Sequence, residues 1–340
     1  MDIEKRIELI TRAPTEEVIT TDDLRKLLET KDKVTAYLGI APTGPFHLGY
    51  LIPLSKLFDF SNAGIENKIL VADIHAALDD LKTPWEELEK RSEYYKKCIE
   101  LSVPWKKKPK FIRGSSFQLD KKYVNDVLKL STLTTVTRAT RAASEVTRMK
   151  NPKVSELIYP LMQCLDEEYL DVDIQLGGID QRHILAFARE GLPILNYRAR
   201  VEVMTSLMVS LKGPGIKMSA SIPESSIKVY ESEESINKKI GNAYCPAGVV
   251  EGNPILQIAK YIIFPLNGKF KIEREKKFGG DIEFENYIQL EKAFIENKLH
   301  PQDIKKATSS ILINLFSKAR KYFAKNTEML NDLGSNFLSV

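Results

Sequence analysis

The sequence predicts an α/β fold with a mainly parallel sheet, followed by a mainly helical region. Short apolar segments typical of strands alternate with helix-like segments up to about residue 225. This alternation indicates a parallel sheet that is covered on both faces. Beyond that point helical periodicity dominates, and 340 residues are enough for two domains. We therefore predict one domain over residues 1–225 and a second over 226–340.

The strands predicted for the first domain are short, apolar and flanked by turns or polar residues. They cover residues 34–40, 68–72, 110–113 and 172–176. The predicted helices cover 2–11, 21–30, 48–62, 84–102, most of 119–149, 153–170 and 181–190. Thr20 or Thr21 would cap the second of these helices, because acidic residues follow in its first turn.

The second domain is predicted to be helical over 233–243, 253–264, 287–296 and 301–324. Residues 268–285 lack a clear period and contain the break Gly279-Gly280, so we expect them to be irregular. The boundary falls in 222–232, after a segment rich in proline and serine.

Composition favours an intracellular protein with a full hydrophobic core. Hydrophobic residues make up 43% and charged residues 28% of the chain, and a net charge of +4 permits a nucleic-acid partner without demanding one. Cys98, Cys164 and Cys245 are far apart, which indicates neither a zinc site nor a disulfide framework. The first residues are charged, and no apolar stretch could span a bilayer. We expect a cytoplasmic protein with no membrane association and no protein-bound metal.

Three polar residues share one face of the predicted helix 153–170. Tyr159, Gln163 and Asp166 are spaced at i, i+4 and i+7, within largely apolar surroundings. A carboxylate can accept a hydrogen bond from a hydroxyl, while an amide and a phenol can hold an ammonium. A free amino acid with a hydroxylated side chain offers both groups. The alternative is a surface helix with three ordinary polar residues.

Two loops could handle phosphate. Residues 41–45, rich in proline and glycine, lead from a strand into a helix start, where free backbone N–H groups and the helix dipole favour an anion. His47 could donate to a phosphate oxygen, although a lone histidine near a helix start is more often structural. The second loop, 211–221, carries Lys217 among glycines and serines, and it could equally be a solvated loop.

These motifs together carry a resemblance to class I aminoacyl-tRNA synthetases. Residues 47–50 resemble the HIGH motif, and residues 217–221 resemble the KMSKS motif. The helix with Asp166 and the tract 177–181 look like tyrosyl-tRNA synthetase in particular. The tracts 116–120, 243–254 and 299–303 are similar to its archaeal and eukaryotic branch. The resemblance covers about residues 20–325, and it implies a Rossmann-like catalytic domain followed by a helical anticodon-binding domain.

The resemblance implies a site for L-tyrosine. Tyr37 and Asp166 match the residues that clasp the substrate hydroxyl, and Tyr159, Gln163 and Gln181 match those that hold its ammonium. The remaining implied pocket residues are Leu70, His75 and Gln118.

The resemblance also implies ATP as co-substrate, accompanied by Mg²⁺ with few protein ligands. The implied ATP-binding residues are Gly39, Thr43, Gly44, His47, Gly49, Tyr50, Asp180 and Lys217, and the implied catalytic residues are His47, Lys217, Ser219 and Ser221. Two positions depart from the motifs: Tyr50 stands where histidine is usual, and Ala220 replaces the second lysine of KMSKS.

The implied activity is a tyrosine–tRNA ligase that forms tyrosyl-adenylate and passes tyrosine to the 3′ end of tRNA(Tyr). Two alternatives remain. A catalytically impaired tRNA-binding paralogue would explain Tyr50 and Ala220, and a tryptophanyl-tRNA synthetase belongs to the same superfamily. Asp166 with Tyr37 argues against the latter, because an indole has no hydroxyl.

The resemblance further implies a homodimer and residues that contact tRNA. Arg138, Arg141 and Arg148 recur on one face of the predicted helix, and Arg141 is the best match to a residue near the acceptor end. Phe278, His300 and Asp303 match the group that meets the anticodon, where an aromatic ring can stack on a base and a carboxylate can accept from a guanine edge.

Overall fold

The computed structural model describes residues 1–144, 152–218 and 222–338. They form two compact units. The first unit comprises the described residues of 1–44, 59–96 and 106–206, and the second comprises those of 45–58, 97–105 and 207–340. The second unit therefore contains the HIGH-like residues as well as the helical region.

A mostly parallel sheet forms the centre of the first unit. Its strands are β1 Thr15–Ile19, β2 Thr35–Ile40, β3 Glu66–Val71, β4 Lys110–Arg113, β5 Ile174–Gly178 and β6 Val201–Thr205. Their order is β1-β6-β5-β2-β3-β4, with only the edge strand β1 antiparallel to its neighbour. Tyr37 on β2 lies opposite Gln175 on β5, which lies opposite Glu202 on β6. This register places the three side chains in one row on the same face of the sheet.

Sixteen α-helices occur in the described residues. In chain order they are α1 Ile3–Thr11, α2 Thr21–Thr30, α3 Leu51–Asn62, α4 Asp73–Leu78, α5 Leu88–Ser102, α6 Lys121–Thr132, α7 Val136–Ala143, α8 Val154–Tyr169, α9 Arg182–Ile194, α10 Glu233–Asn242, α11 Pro254–Ile258, α12 Phe264–Asn267, α13 Tyr287–Ile295, α14 Pro301–Leu315, α15 Ser317–Lys325 and α16 Thr327–Asn331. Thr20 caps α2 by accepting from the Asp23 N–H, as its sequence predicts.

The second unit carries two short hairpins besides its helices. They are formed by β7 Val209–Ser210 with β8 Gly213–Lys217, and by β9 Phe270–Ile272 with β10 Ile282–Phe284. The prediction that 268–285 is irregular was therefore wrong at both ends of that range. Strands β9 and β10 have only three residues each, too few for an alternating pattern to stand out. Their residues Phe270, Ile272 and Phe284 are buried.

The predicted α/β class and its parallel sheet are confirmed, with several differences in detail. Strands β1 and β6 and helix α4 were not predicted. β1 is an edge strand with charged residues, and its pairing partner lies nearly two hundred residues away, so no local pattern marks it. The expected helix 119–149 is divided into α6 and α7, and its last residues, 145–149, lie outside the described part.

Candidate active site

Helix α8 presents the predicted polar face, and this face is buried. Tyr159, Gln163 and Asp166 are all nearly inaccessible to water, with Asp166 only 1% exposed. The Glu156 carboxylate accepts from the Lys153 N–H at 2.8 Å and fixes the start of the helix. The alternative of a solvated surface helix is therefore wrong.

Two neighbouring side chains hold one oxygen of the Asp166 carboxylate. Gln118 donates from Nε2 to Asp166 Oδ1 at 2.7 Å, and the Tyr123 hydroxyl donates to the same oxygen at 2.8 Å. Tyr123 is itself fully buried on α6 and also donates to the Met162 carbonyl. The carboxylate is thus oriented before any ligand arrives.

Three other polar atoms of this cluster have no hydrogen-bond partner within the described chain. They are Asp166 Oδ2, His75 Nε2 and Gln118 Oε1, and all three are buried. Asp166 Oδ2 lies 3.6 Å from His75 Nε2, too far for a hydrogen bond. Buried polar atoms without partners are costly, so a group that satisfies them would bind strongly. A single hydroxyl, which can both donate and accept, suits this arrangement.

Burial sets the protonation of the cluster. It raises the pKa of Asp166 to about 7, against the opposing effect of hydrogen bonds from Gln118 and Tyr123. It lowers the pKa of His75 to about 4, so this ring is neutral at pH 7. The His75 ring also packs edge-on against Tyr159, with 4.6 Å between ring centroids.

The remaining predicted tyrosine-site residues lie on the sheet and on the segment after β5. Tyr37 on β2 is fully buried, its hydroxyl is 3.5 Å from the Gln163 carbonyl oxygen, and it packs in one cluster with Leu70 of β3. Gln163 Nε2 donates to Gln181 Oε1 at 3.2 Å. A side chain at Gly177 would stand 2.8 Å from Gln181 Oε1, so glycine is needed there for Gln181 to adopt this position.

A second buried group lies on the same face of the sheet. Glu167 on α8 and Glu202 on β6 are inaccessible to water, and none of their four carboxylate oxygens has a hydrogen-bond partner among the described residues. Burial and their mutual repulsion raise the pKa of Glu202, while burial also raises that of Glu167. A carboxyl whose pKa is raised in this way keeps its proton to higher pH than a solvated one.

Four predicted ATP-site residues lie in the first unit. Gly39 is on β2, and Asp180 lies in a half-buried turn just after β5. Thr43 and Gly44 follow β2, and both backbones are engaged: Arg91 donates to the Thr43 carbonyl, and the Tyr95 hydroxyl pairs with the amide and carbonyl of Gly44. The amide of Gly44 is therefore not free for a phosphate in this structure.

The HIGH-like residues begin a helical turn in the second unit. His47 Nδ1 accepts from the Gly49 N–H at 3.1 Å. The residue is half-buried, and the loss of solvation lowers the pKa of its ring to about 4. The ring is then neutral with its proton on Nε2, which makes Nε2 a hydrogen-bond donor. Tyr50 packs against the rings of His47 and Phe46 at 4.8 Å each.

The KMSKS-like residues approach the HIGH-like turn within this unit. A side chain at Gly49 would stand 3.5 Å from Met218 Sδ. The backbone of Lys217 pairs with Val209 at the end of the β7–β8 hairpin. Ser219, Ala220 and Ser221 lie outside the described residues.

The predicted tRNA-contacting residues fall in two places. Arg141 is exposed on α7, whereas Arg138 on the same helix pairs with Glu190 and covers the Phe187 ring. Arg148 lies outside the described residues. Of the two arginines described here, Arg141 is therefore the better placed to meet a ligand.

In the second unit, Phe278 lies in the turn after β9, and His300 caps α14, with Asp303 in the first turn of that helix. Arg274 donates to the carbonyls of Gly280 and Lys298, and so ties the turn that contains Phe278 to the segment that precedes His300. The structure thus brings together the two segments that carry the predicted anticodon group.

Sequence reasoning missed Tyr123 and Arg274. Tyr123 precedes Asp166 by 43 residues and shares no local pattern with it. Arg274 looks like one more charge in a basic segment. A tyrosine on the otherwise buried face of α6 was the one available signal for Tyr123.

No cluster of three metal-ligating side chains occurs in the described parts of the chain. None of the helices between residues 1 and 338 that are described is long and apolar enough to cross a membrane.

A parallel sheet with a HIGH-like turn, a KMSKS-like segment and a buried polar cluster is typical of class I aminoacyl-tRNA synthetases. Residues 29–317 match the family model described as tRNA synthetases class I (W and Y). The tyrosine–tRNA ligase of Archaeoglobus fulgidus is 47% identical over 322 residues, covering 94% of this chain and 98% of the relative. That of Natronomonas pharaonis is 43% identical, with 97% of each chain covered.

Among solved structures, tyrosyl-tRNA synthetase from Archaeoglobus fulgidus complexed with L-tyrosine has a TM-score of 0.89 and 46% identity, covering 94% of this chain and 99% of that one. A tryptophanyl-tRNA synthetase from Aeropyrum pernix, 16% identical with a TM-score of 0.70, shares the fold. The chain belongs to the class I tRNA synthetase family, in its tyrosine–tRNA ligase branch of archaeal and eukaryotic type.

Proposed function

We propose that the chain activates L-tyrosine with ATP and transfers the tyrosyl group to the 3′ end of tRNA(Tyr), with the residue roles given below. A tyrosine carboxylate oxygen attacks the α-phosphorus of ATP, and pyrophosphate leaves. The terminal ribose hydroxyl of the tRNA then attacks the carbonyl carbon, and AMP leaves. The observation that carries this proposal is the set of three unpartnered buried atoms around Asp166.

The hydroxyl of the substrate would enter this cluster. It would donate to Asp166 Oδ2 and accept from His75 or from the Tyr37 hydroxyl. Phenylalanine would leave Asp166 Oδ2 buried without a partner, and sites built to bind a hydroxyl reject such analogues by ~10⁴-fold or more. Tryptophan lacks the hydroxyl too, so the same atoms disfavour it.

The ammonium of the substrate would meet Tyr159, Gln163 and Gln181. The two amides already face each other at 3.2 Å, and Tyr159 leads the same face of α8. Gln181 is half-buried, whereas Gln163 is buried, so the pair extends from the interior toward solvent. This direction agrees with a substrate whose side chain is deep and whose carboxylate is outermost.

The phosphates of ATP would be met by His47 and Lys217. His47 Nε2 would donate to a phosphate oxygen without carrying a charge, and Lys217 would add a positive charge as pyrophosphate leaves. Gly39, Thr43, Gly44, Gly49, Tyr50 and Asp180 complete the proposed ATP-binding set, and Ser219 and Ser221 the catalytic set. Mg²⁺ would accompany the phosphates and be held mainly by them and by water, which needs no protein cluster of three ligands.

Contacts with tRNA would come from two regions. Arg141 on α7 would meet the acceptor end, and Phe278, His300 and Asp303 would meet the anticodon. Asp303 is half-buried at the start of α14, so part of this residue stays accessible. We accordingly propose residues 1–225 as the catalytic domain and 226–340 as the anticodon-binding domain.

We further propose a cytoplasmic homodimer. Helix α6 and its flanks expose large apolar side chains, among them Leu119 at 62%, Leu128 at 60% and Val136 at 69% exposure. An open groove on this surface is lined by Leu119, Val124 and Leu128 together with three polar residues. A contiguous exposed apolar patch of this kind is typical of a subunit interface. Leu128→Lys should therefore shift the protein from dimer to monomer in sedimentation velocity.

Tyrosine-dependent exchange between ATP and pyrophosphate tests the central proposal. Purified protein should catalyse exchange with tyrosine, much less with phenylalanine or tryptophan, and should then charge tRNA(Tyr). Exchange that is absent while tRNA still binds would favour the impaired paralogue. Exchange that tryptophan supports best would favour a tryptophanyl enzyme.

A further inference from the structure

Residues 226–230 lie directly beside the HIGH-like turn. The Leu48 N–H donates to the Ile227 carbonyl at 2.8 Å, and the backbones of His47 and Lys228 form an antiparallel bridge. Leu48, Ile227 and Val229 are fully buried. The backbone of His47 is therefore positioned by residues 227–229.

The other side of this segment is held by Ser335–Leu338, which we call the strap. Lys228 donates from Nζ to the Asn336 carbonyl at 2.8 Å and to the Leu338 carbonyl at 2.6 Å. The buried hydroxyl of Tyr230 donates to the Phe337 carbonyl at 2.7 Å. Three consecutive carbonyls of the strap are thus bound by two side chains from one short segment.

Packing shows that the strap is an integral part of the second unit. Phe337 is only 3% exposed, and the Tyr230 ring packs on Phe323 of α15 at 4.8 Å between centroids. Burial lowers the pKa of Lys228, so its ammonium depends on the strap carbonyls for the solvation it has lost. A hydrogen bond from a charged donor contributes more than a neutral one.

A second set of hydrogen bonds, made by Glu231 and Lys239, anchors both ends of the segment. Glu231 accepts from the Lys228 N–H and from Lys239 Nζ through one oxygen, and from the Ser235 hydroxyl through the other. Lys239 also donates to the Ser226 carbonyl. Because both ends are fixed by this anchor, a change at the strap would act on the middle of the segment, where the bridge to His47 lies.

We propose that the strap and its two partners, Lys228 and Tyr230, are positioning elements for adenylate formation, acting through the backbone of His47. This inference rests on the proposed function. Lys228 contacts neither substrate nor phosphate in this assignment; it sets where the imidazole of His47 stands. The strap lies beyond residue 317, the last residue that the family model matches.

Lys228→Met removes the ammonium and keeps the aliphatic stem, and it is the deciding variant. We expect kcat for tyrosine-dependent pyrophosphate exchange to fall about tenfold, since a small misplacement of a catalytic group costs 10–10²-fold. The KM for ATP should rise, and the dissociation constant of tyrosine should stay as in wild type. Lys318→Met, an exposed lysine on α15, is the matched control and should exchange normally.

Dependence on His47 separates positioning from general damage. In a His47→Asn background, Lys228→Met should lower kcat for pyrophosphate exchange by less than a further twofold, because the group that Lys228 positions is gone. Lys228→Arg should recover most of the exchange rate. A chain ending at residue 334 should behave like Lys228→Met, whereas one ending at residue 338 should behave like wild type.

Three results would overturn the inference: normal exchange kinetics in Lys228→Met, an equal loss of tyrosine affinity, or full additivity with His47→Asn. If Lys228→Met does not fold, Tyr230→Phe decides by the same three measurements. Failure of wild-type protein to exchange at all would instead refute the proposed function.

Discussion

The proposed tyrosine pocket and the HIGH-like turn would meet their ligands in different ways. In the pocket, Asp166 is oriented through one oxygen, while its other oxygen stays buried and unpartnered. At the turn, Nδ1 of His47 already accepts a hydrogen bond from the Gly49 N–H, and Nε2 carries a proton. The pocket therefore has an unsatisfied buried acceptor that a hydroxyl would satisfy, whereas the turn has a donor that any phosphate oxygen could use.

This difference teaches where selectivity and rate would reside. An unfilled buried acceptor penalises the wrong amino acid, so it governs discrimination. A preset donor aimed at developing charge mainly lowers the barrier, so it governs kcat. Variants in the two regions should therefore separate in their kinetic signature.

Asp166→Asn tests the pocket, and we expect the largest effect from this variant. The amide keeps the shape but brings its own N–H groups toward donors, so we expect kcat/KM for tyrosine to fall by about 10³-fold. Pyrophosphate exchange measured against tyrosine concentration checks this. Asp126→Asn, which alters a buried carboxylate bound by Tyr169 and Tyr197 elsewhere in this unit, should leave exchange near wild type. Equal losses in both variants would reduce Asp166 to a structural role.

His47→Asn tests the other side. Removing the Nε2 donor should lower kcat for exchange by about 10²-fold, while the tyrosine dissociation constant changes less than twofold. Equilibrium binding of tyrosine and single-turnover adenylate formation give the two quantities. Comparable changes in both would contradict the division between discrimination and rate.

Tyr123→Phe sharpens the comparison at the pocket. It deletes one of two donors to Asp166 Oδ1 without touching the substrate, so the KM for tyrosine should rise about tenfold. The acid limb of the pH profile should also move upward, because one hydrogen bond that favours the ionised carboxylate is lost. An unchanged limb would show that Tyr123 only fills space.

The smallest expected effect is on the pH dependence of folding stability, through the buried Glu202. Glu202 has a raised pKa in the folded state, so the folded protein binds more protons than the unfolded chain above about pH 4.5. Stability therefore falls as pH rises through this range. In Glu202→Gln the free energy of unfolding should fall less steeply with pH than in wild type. The difference between the two proteins should grow by up to about 1.4 kcal/mol per pH unit.

Urea unfolding at pH 5 and pH 8 measures this difference. Glu29→Gln, at an exposed position on α2, serves as the control and should follow wild type at both pH values. If the difference between Glu202→Gln and wild type is the same at both pH values, Glu202 does not carry the extra proton.

The face of α8 was predictable because its three polar residues follow helical spacing along one continuous segment. The parallel strands β2 to β5 were predictable because each contains a short apolar run, whereas the parallel strand β6 was not predicted. What could not be predicted is the state of individual atoms. That Asp166 Oδ1 is satisfied while Oδ2 is not depends on Gln118 and Tyr123, which reach it from another part of the fold.

The edge strand β1 and the hairpin β9–β10 show the other limit. Their pairing depends on partners that give no local signal, so tertiary contacts outweigh their weak propensity. The strap is a further case, because nothing in residues 335–338 alone indicates that Lys228 and Tyr230 would bind their carbonyls.

The hydrogen bond from Gly49 to His47 Nδ1 has a kinetic consequence. Because this bond fixes the tautomer and the low pKa keeps the ring neutral, the proposed role of the imidazole is that of a stationary dipole that relays no proton. Carboxylate attack on phosphorus releases no proton either. Adenylate formation should therefore run at nearly the same rate in heavy water as in ordinary water, once the shift of the Asp166 titration is allowed for.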